Sequence, residues 1–122
     1  GYNEDIVVIN FWATWCAPCK KEMPSLNNLA QNMKQEDIRI ITVASGRNSK
    51  EAIDAFFDDN NLVNLKKYRD PKGKIASKFG VTALPTTVIL NPTGIEIGRI
   101  IGDIDWHTSD VKAFFKELVR MK

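Results

Sequence analysis

Apolar residues arrive along this chain in two rhythms. Residues 6–12 form an almost unbroken apolar run, IVVINFW, interrupted only by Asn10. A run of that length is expected of a strand covered on both faces of a parallel sheet. From Cys16 to about Met33 the rhythm changes, and Met23, Leu26, Ala30 and Met33 recur at spacings of three and four. That is the stripe of a helix with one buried face, its methionines serving as core filler. Residues 38–43 read as a second strand, and two strands joined by a helix imply a right-handed crossover and a parallel pair. Residues 49–60 read as a helix with Ser49 at its N-cap and Ile53, Phe56 and Phe57 inward. Residues 62–67 are read as a short added strand, and residues 71–79 as a short helix beginning at Pro71. Residues 86–90 and 95–101 form a hairpin across the turn Asn91-Pro92-Thr93-Gly94. The last helix runs from about Thr108 to Met121 and buries Val111, Phe114, Phe115 and Leu118. The alternation of strand and helix, without repeats, predicts an α/β fold.

A chain of 122 residues, 43% of them hydrophobic, has enough apolar surface for one core, so residues 1–122 are expected to form a single domain. The formal net charge of +2 gives no reason to expect nucleic acid as a partner. No apolar run approaches the ~20 residues needed to span a bilayer.

The chemistry lies where the first strand meets the first helix. The segment Phe11-Trp12-Ala13-Thr14-Trp15-Cys16-Ala17-Pro18-Cys19-Lys20 holds the only two cysteines of the chain. A strand running into Cys-x-x-Cys at a helix start is arranged for thiol–disulfide exchange. A sulfur there faces backbone N–H groups without carbonyl partners, at the positive end of the helix dipole, and both effects favour the thiolate. The spacing brings Cys19 onto the face of Cys16, and Pro18 suits an early helical turn, where its missing N–H costs little. Cys16 is therefore expected to be the exposed nucleophile and Cys19 the shielded, resolving thiol. A zinc site needs four ligands, and His107 is the only histidine, so no metal or other cofactor is expected. A copper-handling Cys-x-x-Cys stays open as an alternative.

These residues resemble the active site of the thioredoxin superfamily, and within it the TlpA/ResA-like reductases of the bacterial cell envelope. Trp12 and Trp15 stand at the family's two tryptophan positions, and Pro24 at the proline that kinks the active-site helix. Gly80-Val81-Thr82-Ala83-Leu84-Pro85-Thr86-Thr87 resembles the loop with a cis-proline opposite the cysteines, followed by the hairpin turn at Asn91 and a glycine at Gly102. The resemblance implies a thioredoxin fold: a central mixed β-sheet flanked by helices, with an insertion between the second strand and the cis-Pro loop. It implies that Pro85 is cis and that Trp15, Ala17, Pro18 and Leu84 meet the substrate, the backbone of Leu84 pairing with an extended segment. It implies a monomer in the periplasm that reduces disulfides of envelope proteins, as in cytochrome c maturation or copper-site assembly, and is re-reduced by a membrane thiol reductase. Donation of the disulfide to folding proteins, or isomerisation, is the alternative within enzymes. Relatives carry an N-terminal hairpin and often a membrane anchor, and only residues 1–5 precede the first strand here, so a tether is expected to be lost or absent.

Two departures stand out. The superfamily's buried aspartate before the cysteines corresponds to Asn10, which cannot act as a base. The stretch after the second strand, Val43-Ala44-Ser45-Gly46-Arg47-Asn48, holds no carboxylate before Glu51, which reads as solvated on a helix. The sequence therefore names no proton acceptor for Cys19 and leaves that part to water or the departing thiolate. Lys20 and Lys21 read as a solvated helix face, Trp12 as core, His107 as an exposed or capping residue, and Lys72, Lys74 and Lys78 as a solvated rim.

Overall fold

The computed structural model describes residues 5–122. In chain order it contains β1 (Ile6–Trp12), α1 (Ala17–Asn32), β2 (Ile38–Ser45), α2 (Lys50–Asp59), β3 (Lys66–Asp70), α3 (Lys74–Lys78), β4 (Thr86–Leu90), β5 (Glu96–Ile101) and α4 (Ser109–Met121). The strands form one sheet in the order β3-β2-β1-β4-β5. β1, β2 and β3 are parallel, while β4 runs antiparallel to β1 and β5 antiparallel to β4.

β1 is the central strand, which explains its apolar run. Its side chains alternate between the two faces of the sheet. Ile6, Val8 and Trp12 join a core with Met23, Leu26 and Leu29 of α1, Ile53 and Phe57 of α2, and Phe115 of α4. Ile9 and Phe11 join a second, smaller core with Val43, Val88 and Ala76 of α3. Asn10 has the parity of the first set, so this amide is directed to the layer that contains α1. Both α2 and α4 start on hydroxyl caps: Ser49 Oγ accepts from Ala52 N at 3.0 Å, and Thr108 Oγ1 from Val111 N at 3.2 Å.

Four expectations need correction. The added strand is Lys66–Asp70 rather than residues 62–67. Leu62 and Leu65 are buried in the larger core, so that segment is a plug before the strand. The short helix is Lys74–Lys78, because Pro71 and Lys72 lie in a turn that Gly73 leaves at φ 66°, a left-handed conformation that suits glycine. Phe114 is 49% exposed. The inward positions of α4 are Val111, Phe115 and Leu118, and Phe114 falls on the flank, edge-on to Phe115. The strand expected at residues 38–43 is also longer, reaching Ser45. The hairpin turn at Asn91 stands as expected, with Asn91 Oδ1 accepting from Thr93 and Ile95. Residues 1–4, including most of the segment before the first strand, lie outside the described residues.

Candidate active site

The parallel strands β1, β2 and β3 all point their C-terminal ends toward one edge of the sheet, and the cysteines stand there. Cys16 is the N-cap of α1, in an extended backbone conformation. Its Sγ accepts the N–H of Cys19 at 3.4 Å. The sulfur thus occupies the place that a serine or aspartate oxygen takes at other helix starts, and meets a backbone donor that the helix cannot satisfy. Cys16 and Cys19 are joined in a disulfide with their Cα atoms 5.3 Å apart. Cys19 is wholly buried and Cys16 is 8% exposed. The order of accessibility is the expected one, but Cys16 is far less open than the sequence suggested. In the disulfide its sulfur sits against the larger core, and the exposed rim is made by Trp15, Ala17 and Pro18.

Trp15 is 66% exposed, yet its orientation is fixed. Its indole Nε1 donates to Arg47 O at 3.2 Å. Next to it, Asn48 ties the turn after β2 to the approach of the cysteines. Asn48 Oδ1 accepts from Thr14 N at 2.7 Å and Thr14 Oγ1 at 2.9 Å, while its Nδ2 donates to Ser45 O and Gly46 O. All the hydrogen-bonding capacity of this amide goes into holding two loops together.

The second loop arrives from β4. The Leu84–Pro85 peptide is cis. Thr86, the first residue of β4, pairs with Phe11, which places Pro85 at the cysteine end of the sheet. Leu84 packs against the core that contains Cys16 and Cys19, and Gly102 N donates to Pro85 O at 2.8 Å. The sequence-derived residues Trp15, Ala17, Pro18, Leu84 and Pro85 therefore share one end of the molecule with the cysteines. Glu51 is exposed on α2, His107 is exposed in the segment before α4, and Lys20 and Lys21 are exposed on α1.

A buried acid exists after all, and sequence reasoning missed it. Glu22, one helical turn after Cys19, is 2% exposed. Its Oε1 accepts from Asn10 Nδ2 at 2.8 Å. Its Oε2 accepts from Trp106 Nε1 at 3.0 Å and Ile104 N at 3.1 Å. Burial pushes the carboxyl above its ordinary range, the three donors pull it partly back, and the charge of Asp103 adds a small upward push. Asn10, which cannot itself be a base, holds this carboxyl: its Nδ2 also donates to Thr87 Oγ1 at 2.9 Å, while its Oδ1 has no partner among the described residues. Cys19 and Glu22, three apart on a helix, lie on one face. The signal was present in the spacing, since Glu22 falls between Cys19 and Met23 on the inward stripe.

Thiol-disulfide oxidoreductase ResA of Bacillus subtilis is 35% identical over 96 residues, covering 79% of this chain and 52% of that protein. The ResA of Geobacillus kaustophilus is 31% identical over 117 residues, covering 91% and 66% respectively. The chain thus spans about half the length of the Bacillus relative. Among solved structures, StoA from Bacillus subtilis superimposes with a TM-score of 0.77 at 23% identity, over 94% of this chain and 82% of that one. A putative thioredoxin from Neisseria meningitidis gives 0.84 at 22% identity, over 98% and 77%. Residues 3–96 match the thioredoxin-like family. The match covers most of the chain, and the chain belongs to that family.

Proposed function

We propose that this chain is a thiol–disulfide oxidoreductase that reduces disulfides of proteins in the bacterial cell envelope. The observation that carries the reading is the pairing of a capping sulfur, Cys16, with a second sulfur, Cys19, buried behind it and one turn from a buried carboxylate. In the dithiol form the Cys16 thiolate attacks one sulfur of the partner's disulfide. A Cys16–partner disulfide forms and the other partner sulfur leaves as thiolate. Cys19 then gives its proton to Glu22 and attacks Cys16 Sγ. The second partner sulfur leaves, takes up a proton, and the enzyme is left with the Cys16–Cys19 disulfide. Glu22 forms part of the wall of a surface cleft with Asp103 and Ile104, and this gives its proton a route to solvent. The cis-Pro85 loop and Trp15 flank the attacking sulfur and position the partner strand. A membrane thiol reductase restores the dithiol.

A proline, with no histidine, stands between the cysteines. The Cys16 thiolate is therefore only moderately stabilised, which favours the disulfide form and a reducing potential. Equilibration with glutathione buffers, followed by thiol trapping, tests this. The expected potential lies nearer roughly −270 mV than the roughly −120 mV of a strong oxidant. A protein found mainly as the dithiol in an oxidising buffer would reverse the direction.

A further inference from the structure

The charge of this chain is unevenly spread. Between residues 66 and 78 stand Lys66, Lys67, Arg69, Lys72, Lys74 and Lys78, against the single carboxylate of Asp70. The whole chain carries only +2, so the rest of it is net negative. All six cations are exposed. Asp70 is buried and its Oδ2 is occupied by Ile75 N and Ala76 N, both at 3.0 Å, so it faces away from any partner.

Four features make this patch more than a solvated rim. Lys66, Lys67 and Arg69 lie on β3, an edge strand that among the described residues is hydrogen-bonded only to β2. Its C-terminal end is adjacent to the cysteine end: Asp70 pairs with Ser45, Gly46 N donates to Asp70 O at 3.0 Å, and Arg47 O holds Trp15. A groove beside the strand is lined by Lys50, Ile53, Lys67, Tyr68 and Arg69. Its one carboxylate, Asp54, is already taken by Lys50 at 2.7 Å and Lys67 at 2.8 Å. Finally, the cations alternate: Lys67 reaches α2 through Asp54 while Asp70 reaches the start of α3, so neighbouring side chains leave on opposite faces.

Resting on the reading above, we infer that β3 and its flanking cations receive an acidic, extended segment of the disulfide-bearing substrate and lead it to Cys16. Like charge disfavours a second copy of this chain on the same edge, which is how lysines guard open strands. A strand of opposite charge is not so excluded, and its backbone can add to β3 while its carboxylates meet cations on both faces. A flat anionic bilayer would meet only one of the two rows. The cations would raise the rate of encounter, an effect that salt screens.

The test uses three synthetic probes: a peptide of alternating Glu and Val, its Gln–Val counterpart, and vesicles of anionic phospholipid. Binding is measured first with the oxidised protein and peptides lacking cysteine, so the result does not depend on redox activity. The acidic peptide is expected to bind at least roughly tenfold tighter than the Gln peptide at low salt. That preference should vanish in Lys66→Gln/Arg69→Gln/Lys72→Gln and in high salt. The same peptides carrying a disulfide then report exchange with the reduced protein. The variant should match the wild type on the Gln form and lose the wild-type advantage on the acidic form. Equal binding of both peptides, a preference that survives the triple substitution, or binding of vesicles but not of the acidic peptide overturns the inference. Failure to reduce either disulfide peptide, with selective binding intact, overturns the reductase reading and leaves the acidic-segment site standing.

Discussion

Replacing Glu22 by glutamine and, separately, by alanine separates its chemistry from its place in the fold. Alanine strands three donors, Asn10 Nδ2, Trp106 Nε1 and Ile104 N, in a site where Glu22 is 2% exposed. An unsatisfied buried donor costs about 1–3 kcal/mol, so Glu22→Ala should lose about 3–5 kcal/mol after relaxation and relief of the buried charge. Glutamine behaves differently because of Asn10. If the oxygen of the introduced amide keeps Trp106 and Ile104, its NH2 faces Asn10, whose Oδ1 has no partner among the described residues. A flip of the Asn10 amide turns that oxygen toward the new donor, and Thr87 Oγ1 can donate to it as well. Glu22→Gln should therefore stay within about 1 kcal/mol of the wild type at neutral pH.

The linkage has a definite sign. The folded carboxyl titrates above its unfolded value of 4.5. Its contribution to stability is therefore greatest below 4.5 and is lost as pH rises through the folded pKa. The wild type should lose that increment across the window while the glutamine variant does not. Chemically, Glu22→Gln removes the acceptor proposed for Cys19, and a general base contributes at least about a hundredfold. Rapid-quench experiments with a synthetic disulfide peptide, scored by mass spectrometry for the Cys16–peptide adduct, read the resolving step. In the wild type its rate should rise through the Glu22 titration. In the glutamine variant the adduct should persist about a hundredfold longer near neutral pH, with the acid limb gone. If a folded glutamine variant resolves the adduct within about twofold of the wild type across that range, Glu22 is not the acceptor.

Asn48→Ala removes four hydrogen bonds at a half-buried position and should cost about 1–2 kcal/mol in urea unfolding, with a change in Trp15 fluorescence. Asn48→Asp keeps the acceptor for Thr14 and should recover part of that loss. Asp70→Ala removes the cap of α3 and should cost about 1–2 kcal/mol, whereas Asp70→Asn should retain most of it, both read by thermal unfolding. Leu26→Ala, at a wholly buried position of α1, should cost about 2–5 kcal/mol in the same assay.

How much of this was readable in the residues depended on how local each signal was. β1 and α1 announced themselves because their burial is nearly complete on the faces that the period selects. The strand 66–70 did not, because an edge strand spelled Lys-Lys-Tyr-Arg-Asp has no apolar alternation, and the apolar pair Leu62 and Leu65 beside it drew the boundary early. Cys16, Cys19 and the loop at Pro85 were visible as motifs. Glu22 was hidden among Lys20, Lys21 and Pro24, where charge suggested solvent. What buries it is Trp106, 84 residues away, and Asn10 on the neighbouring strand. Asn48 was read only as the absence of a carboxylate, since its partner Thr14 is 34 residues distant.

The decisive measurement is the capture of a mixed disulfide on single-cysteine variants. Reduced Cys19→Ser, mixed with a synthetic disulfide peptide, should trap the peptide on Cys16 as a lasting adduct identified by peptide mapping, whereas Cys16→Ser should trap little. Capture mainly on Cys19, or no exchange by the folded Cys19→Ser protein, would contradict Cys16 as the attacking sulfur.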